Sequence, residues 1–148
     1  MSPGKTFKNF LKKEEAKSAL DFWHTEFGSS EELHKKLDES QIEEAKKGNI
    51  VICGKLSIYF LKDLATHKIW LEAPIEIRAA RTANRDKINF PEALKQIRER
   101  EKLERENWKR IYGFDDFELK NECGLVLDTS NLTLEESVDR IVKFIKGI

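Results

Sequence analysis

Three short apolar runs alternate with long charged segments in this 148-residue chain. The runs are residues 49–53, 67–72 and 125–128. Each has the length of a buried strand rather than of a helix. Helical patterns fill the intervening segments, most clearly at residues 30–47, 75–86 and 91–111. Because parallel strands need crossover connections, this alternation predicts an α/β fold with helices on both faces of a parallel sheet, in one domain over residues 1–148.

Charge and cysteine content limit the possible functions. Lys+Arg and Asp+Glu are equal at 27 each, so no overall field attracts the chain to nucleic acid or to a membrane surface. The tryptophans form no aromatic series among basic residues, which also speaks against RNA binding. Cys53 and Cys123 have no metal-ligand spacing, and we expect reduced thiols in the core of a cytoplasmic protein without a signal peptide or membrane span.

An arginine-rich helix follows the second apolar run. Pro74 ends that run, and Arg78, Arg81 and Arg85 then follow at helical spacing. Ligands of open α/β sheets bind beyond the carboxyl ends of the strands, and guanidinium groups there suit a ligand with several phosphates. The alternative is a solvated helix whose arginines pair with nearby acidic residues.

Four segments carry a resemblance to a known family. They are Lys46–Leu56, Lys68–Arg81, Ile111–Asp115 and Asp128–Leu132. These segments closely resemble archaeal-type cytidylate kinases, which are P-loop nucleoside monophosphate kinases that transfer a phosphoryl group from ATP to CMP. Residues 2–8 also resemble the segment that opens the family's monophosphate-binding region. The resemblance implies a P-loop-kinase-like sheet, monophosphate-binding helices at about 2–47 and a lid-like segment at about 78–112.

The resemblance also assigns roles to individual residues. Arg81 and Arg85 correspond to lid arginines that act on the transferring phosphoryl group. A second set corresponds to binding residues for the monophosphate substrate: Ser2, Gly4, Lys8, Lys55, Arg78, Arg100 and Glu104. The expected cofactors are ATP and Mg²⁺, and no protein metal site is expected. Arg100 and Glu104 can alternatively form an ordinary surface pair at i, i+4 spacing.

The family's first strand, P-loop, helix and second strand have no counterpart in the sequence. We therefore expect a sheet of about three strands and negligible kinase activity from this chain alone. Alternatively, Gly4, Lys5 and Thr6 are a vestigial P-loop, although a P-loop also needs an earlier glycine and an anchoring strand. The sheet can compensate by repacking, by taking a strand from a partner or by edge association of protomers. The natural product can also be longer than this sequence.

Two classes of function remain open at this stage. One is a cytidylate-type kinase, including a subunit of a split kinase completed by a partner that carries the P-loop. The other is a non-catalytic relative that binds a nucleotide or phosphate. The chain departs from the family pattern at Lys8, Cys53, Lys55, Asn107 and the pair Cys123-Gly124. These departures leave the base preference open among CMP, dCMP and UMP.

Overall fold

The computed structural model describes residues 19–148. The helices are α1 (Ala19–Trp23), α2 (Glu31–Lys46), α3 (Ser57–Phe60), α4 (Ile75–Asp86), α5 (Phe90–Tyr112) and α6 (Leu134–Lys146). The strands are β1 (Ile69–Glu72) and β2 (Leu125–Asp128), and a 3₁₀ helix covers Asp116–Glu122. No helix within residues 19–148 has the length and hydrophobicity that crossing a bilayer requires.

The two strands form a parallel sheet. Ile69 lies opposite Leu125 and Glu72 opposite Asp128. The Thr129 N–H extends the pairing beyond the last residue pair by donating to the Glu72 carbonyl over 2.8 Å. Parallel pairing of strands separated by helices confirms the predicted α/β class and the strand predictions for 67–72 and 125–128.

The prediction of a third strand at residues 49–53 is wrong. Within residues 19–148 the sheet has two strands, and residues 49–53 belong to neither of them. Gly48 and Asn49 have positive φ angles of 73° and 48°, so the chain turns where the strand was expected to begin. Val51 is 74% exposed, and Cys53 is exposed as well, contrary to the expected core position. An apolar run becomes a buried strand only where neighbours cover both its faces, and here they do not.

The longer helices confirm the sequence predictions because their end signals are local. Ser30 caps α2 by accepting a hydrogen bond from the Leu33 N–H at 3.2 Å. Thr133 and Glu136 form the reciprocal capping box at the start of α6. The sequence also predicts a helix over residues 56–65, and the structure has a shorter one there, since α3 covers four residues only.

Helix α6 does not bury its apolar stripe. The helical spacing of Val138, Ile141, Val142 and Ile145 in the sequence predicts a buried face, yet none of the residues of α6 is buried, and Val138 is 50% exposed. The helix instead places the Phe144 ring against Gly124, where an added Cβ would meet the ring at 2.9 Å. A sheet of two strands is too narrow to cover a whole helix face, so most of the stripe stays in contact with solvent.

The described residues form two compact units. The first combines residues 19–65 with 100–119, and its largest fully buried side chains are Phe22 and Leu33. The second combines residues 66–99 with 120–148, and Ala79, Ala93 and Ile97 form a buried cluster within it.

A row of polar side chains on α2 packs inside the first unit, and we call it the polar seam. Its members on α2 are His34, Asp38 and Gln41, spaced at i, i+4 and i+7. Each has a polar partner on another helix. Asn107 Nδ2 lies 3.2 Å from His34 Nε2, the Tyr112 hydroxyl donates to Asp38 at 2.5 Å, and the Ser57 hydroxyl donates to Gln41 at 2.6 Å. Buried polar groups are tolerated here because each is hydrogen-bonded.

Burial shifts two ionisable members of the polar seam in opposite directions. Desolvation, aided by the charge of Arg110, lowers the pKa of His34 from 6.5 to about 4. Desolvation raises the pKa of Asp38 from 3.8 to about 6, although the hydrogen bond from Tyr112 opposes the shift. Neutral forms of both side chains are therefore favoured in the folded chain.

These shifts predict compensating pH dependences of stability. The Asp38 contribution is present below pH 3.8 and lost as pH rises through about 6. The His34 contribution is present above pH 6.5 and lost as pH falls through about 4. We expect Asp38→Asn to leave only the His34 effect, so its free energy of unfolding should rise more steeply from pH 4.5 to 6.5 than that of the wild type. Urea unfolding at both pH values measures the two slopes, and equal slopes would contradict the assignment.

Candidate functional site

A buried carboxylate in the first unit lies between two cations, and we call Lys55, Arg100 and Glu104 the Glu104 cluster. Lys55 lies in the turn before α3, and its ammonium group donates a hydrogen bond to Glu104 Oε2. Arg100 lies one turn earlier than Glu104 on α5, with its Nε 3.7 Å from Glu104 Oε1. The side chain of Glu104 is 9% exposed, that of Arg100 35% and that of Lys55 46%. The cations thus remain accessible while the carboxylate is buried.

Aromatic and charged groups extend this cluster. The Lys55 ammonium lies 5.7 Å from the centre of the Trp108 ring. Arg105 Nε lies 3.5 Å from Asp116 Oδ1, and the same guanidinium stacks 4.3 Å from the centre of the Phe117 ring. Burial raises the pKa of Asp116, and the charge of Arg105 opposes this shift. Arg105, Asp116 and Phe117 were not predicted from the sequence, because Arg105 lies on α5 and the other two lie in the separate 3₁₀ helix, and no sequence pattern shows how the two elements meet.

Three buried polar atoms of this region lack a hydrogen-bond partner among residues 19–148. They are Arg100 Nε, Arg105 Nε and Asp116 Oδ1. Ion-pair distances of 3.5 and 3.7 Å are too long for hydrogen bonds between these groups. Buried donors without hydrogen-bond partners are rare in folded proteins, and the Arg100 guanidinium, which shares the Glu104 carboxylate with Lys55, favours an anion as ligand.

The arginine-rich helix α4 belongs to the second unit, and its three predicted site residues have different partners. Arg78 Nε donates to the Ala73 carbonyl at 2.9 Å. Arg81 donates to the Thr129 hydroxyl at 3.0 Å and to the Thr129 carbonyl at 2.5 Å. Arg85 pairs with the adjacent Asp86 at 2.6 Å and is 70% exposed. The alternative of a solvated arginine paired with an acid describes Arg85, whereas Arg81 reaches the carboxyl end of β2.

Further polar groups surround the carboxyl ends of the two strands. Both carboxylate oxygens of Glu72 accept hydrogen bonds from Lys120, at 2.7 and 2.9 Å. Hydrogen bonds from Ser130 lower the pKa of Asp128, and the charges of Arg81 and Lys120 act in the same direction. Arg81, Thr129 and Asp128 therefore form a polar group at the sheet edge where ligands of α/β folds bind.

The predicted site residues fall into three sets. Lys55, Arg100 and Glu104 are in direct contact within the first unit, and Arg78, Arg81 and Arg85 lie on α4 of the second unit. The remainder lie outside the described residues, namely Ser2, Gly4, Lys5, Thr6 and Lys8. The assignment of these sets to one shared site stays a prediction.

Parallel α/β sheets bind ligands beyond the carboxyl ends of their strands, and guanidinium and ammonium groups are suited to phosphate ligands. Comparison with known proteins narrows this general expectation. The profile of the cytidylate kinase-like family matches residues 2–131. The chain belongs to this family, which confirms the resemblance carried by the four sequence segments.

Named relatives in archaea agree with the family match. The chain is 38% identical to the cytidylate kinase of Pyrobaculum islandicum over 125 residues, which are 83% of this chain and 67% of the relative. It is 42% identical to the cytidylate kinase of Pyrococcus horikoshii over 122 residues, covering 80% and 62%. It is 40% identical to that of Methanopyrus kandleri over 111 residues, covering 69% and 57%. The chain thus spans about three fifths to two thirds of the length of these relatives.

The burial of Glu104 predicts an energetic coupling with Lys55. Lys55→Met leaves a buried carboxylate with one cation at ion-pair distance, and we expect a loss of about 1 kcal/mol in the free energy of unfolding, a modest value because Lys55 is half exposed. Adding Glu104→Gln should restore most of the loss, since the uncompensated charge is then gone. Urea unfolding of the wild type, both single variants and the double variant measures the coupling, and additive single effects would contradict it.

Proposed function

We propose that this chain takes part in phosphoryl transfer from ATP to CMP, giving CDP and ADP, and that the Glu104 cluster binds the phosphate of the acceptor nucleotide. The observation that carries the proposal is the pair of accessible cations, Lys55 and Arg100, with a buried Arg100 donor that lacks a partner among residues 19–148. A phosphate group offers several acceptor oxygens to such donors. The relatives are cytidylate kinases, and the proposed reaction is taken from them.

Arg81 is the lid residue in this proposal, and Arg85 is its neighbour in the same role. The two acceptors of Arg81 are the neutral hydroxyl and carbonyl of Thr129, so these bonds orient its guanidinium without cancelling its charge. Arg85 is paired with Asp86 and has to leave that carboxylate to reach a phosphoryl group. Arginine charge placed on a transferring phosphoryl group is worth roughly 10³–10⁵ in rate.

Mg²⁺ is the metal ion expected for this reaction, and it would reach the site together with ATP. Among residues 19–148, no group of three or more His, Cys, Asp or Glu side chains is placed to hold a metal ion. In phosphoryl transfer, Mg²⁺ is commonly bound by one or two carboxylates together with the nucleotide phosphates. The proposal therefore assigns Mg²⁺ to the ATP that binds, and assigns no step to it. Gly4, Lys5 and Thr6, the alternative ATP-binding residues, lie outside the described part of the chain.

The Glu104 cluster also supports a second candidate function, in which the chain binds the nucleotide without transferring phosphate. The Glu104 cluster forms from described residues within one unit, and binding of a phosphate between its two cations does not require ATP. A split kinase fits the second candidate as well, with a P-loop-bearing partner supplying the ATP site. The two candidates differ in whether CDP forms, while both require CMP to bind.

Two measurements on the 148-residue chain test these candidates. Isothermal titration with CMP, with and without ATP and Mg²⁺, tests binding, and a coupled assay of CDP formation tests transfer. Turnover supports the kinase, and CMP binding without turnover supports the second candidate. If CMP binds under neither condition, the proposed function is wrong.

Arg81→Ala separates transfer from binding. We expect any turnover of CMP to fall by at least about 10³-fold, because the charge on the transferring group is lost, while the Kd for CMP changes little. Arg98→Ala is the matched control, since Arg98 is an exposed arginine on α5 with no assigned role, and it should leave turnover unchanged. Unchanged turnover in Arg81→Ala would remove Arg81 from the lid.

A further inference from the structure

Glu104 contacts both cations that the proposed function assigns to the substrate phosphate. Its Oε2 accepts from the Lys55 ammonium, and its Oε1 lies 3.7 Å from Arg100 Nε. Each carboxylate oxygen thus faces a different cation, which is also how two oxygens of a phosphate would use them. The Glu104 carboxylate therefore contacts the same two cations that the proposed function assigns to the substrate phosphate.

The contact with Arg100 is incomplete. At 3.7 Å the Arg100 Nε and Glu104 Oε1 form an ion pair but no hydrogen bond, and this nitrogen has no other hydrogen-bond partner within residues 19–148. A donor that lies near a carboxylate without bonding to it can still donate a hydrogen bond to an incoming anion. Glu104 therefore reduces the attraction of the site for anions without filling it.

We propose that Glu104 is an internal competitor of the phosphate in this site. This inference rests on the proposed function and makes Glu104 a residue that determines specificity. To bind, an anion has to displace the Glu104 carboxylate from Lys55 and Arg100. Inorganic phosphate gains too little from two cations to do so. A nucleoside monophosphate gains additional contacts through its sugar and base, and binds.

Charge arithmetic gives the direction of the effect. Lys55, Arg100 and Glu104 carry a formal sum of +1, from two cations and one carboxylate. In Glu104→Gln the new side chain is neutral, so the formal sum of the three residues is +2. A phosphate then meets no like charge between the two cations. Like charges brought together at a binding site repel each other, and the low exposure of Glu104 reduces the screening of this repulsion by solvent. Specificity through such a repulsive element is a known use of charge.

Asp116 provides a matched control in the same unit. It is also a partly buried carboxylate, but its cation is Arg105, at 3.5 Å. Asp116→Asn therefore removes a negative charge that acts on Lys55 through space only, and it leaves the contacts of Lys55 and Arg100 with Glu104 in place. A general gain in positive charge acts in both variants, whereas competition for the two cations acts only in Glu104→Gln.

Titration of the 148-residue chain with inorganic phosphate, followed by ³¹P NMR or calorimetry, tests the proposal. We expect Glu104→Gln to bind inorganic phosphate at least about tenfold more tightly than the wild type, and Asp116→Asn to differ from the wild type by less than about threefold. Glu104→Met, neutral and similar in volume, should give the same gain if the glutamine variant does not fold. An unchanged or weaker affinity in the Glu104 variants, or an equal gain in Asp116→Asn, overturns the proposal.

A parallel titration with CMP distinguishes this inference from the proposed function. If the wild type binds CMP but the Glu104 variants gain no affinity for inorganic phosphate, only the internal competitor is wrong. If the variants gain affinity for phosphate but no form of the chain binds CMP, the competitor stands as a property of an anion site and the proposed function fails.

Discussion

The burial of the Glu104 carboxylate is the constraint on which the candidate site depends. A carboxylate with a 9% exposed side chain is unfavourable unless cations compensate it, and here the cations come from two places. Arg100 lies on the same helix, and Lys55 lies 49 residues earlier in the chain. The contact therefore joins the turn before α3 to the second half of α5 and places Trp108 beside the lysine. Polar compensation, as well as apolar burial, determines how these segments meet.

The polar seam follows the same physical rule with neutral groups. His34 and Asp38 lie in surroundings where their charged forms are disfavoured, and each is bonded to a side chain on α5. Asn107 is one of these partners, at a position where the resemblance expects an arginine. Its amide oxygen accepts from Arg110 while its nitrogen lies against His34, so the side chain is used within the helix packing. An arginine at this position would add a second cation, besides Arg110, whose charge acts on His34.

The features of the fold that depend on local sequence signals were predicted well, whereas those that depend on long-range pairing were predicted poorly. The helix 75–86 follows Pro74, and the capping box of Thr133 and Glu136 begins α6; both signals lie within a few residues of the structure they determine. The run at 49–53 has the same apolar pattern as the true strands, but a strand also needs a neighbour, and its composition does not show whether one is present. The predicted burial of the apolar stripe of α6 is wrong for the same reason, because that burial depends on the width of the sheet against which the helix packs.

The candidate site shows where residue identity stops being informative. The resemblance brought Lys55, Arg100 and Glu104 together as a set, and the structure places them in contact. The sequence did not show that the carboxylate occupies the cations, since spacing at i, i+4 predicts a weak surface pair and contains no information on burial. Arg81 shows the opposite case: pairing with an acid was the alternative to its predicted lid role, and the structure shows it bonded to the neutral oxygens of Thr129. A cation paired with neutral acceptors keeps its charge for a ligand, whereas a cation paired with a carboxylate has to be released first. Arg81 and Lys55 therefore differ in their partners rather than in the sign of their charge. The sequence alone does not show which partner each of them has.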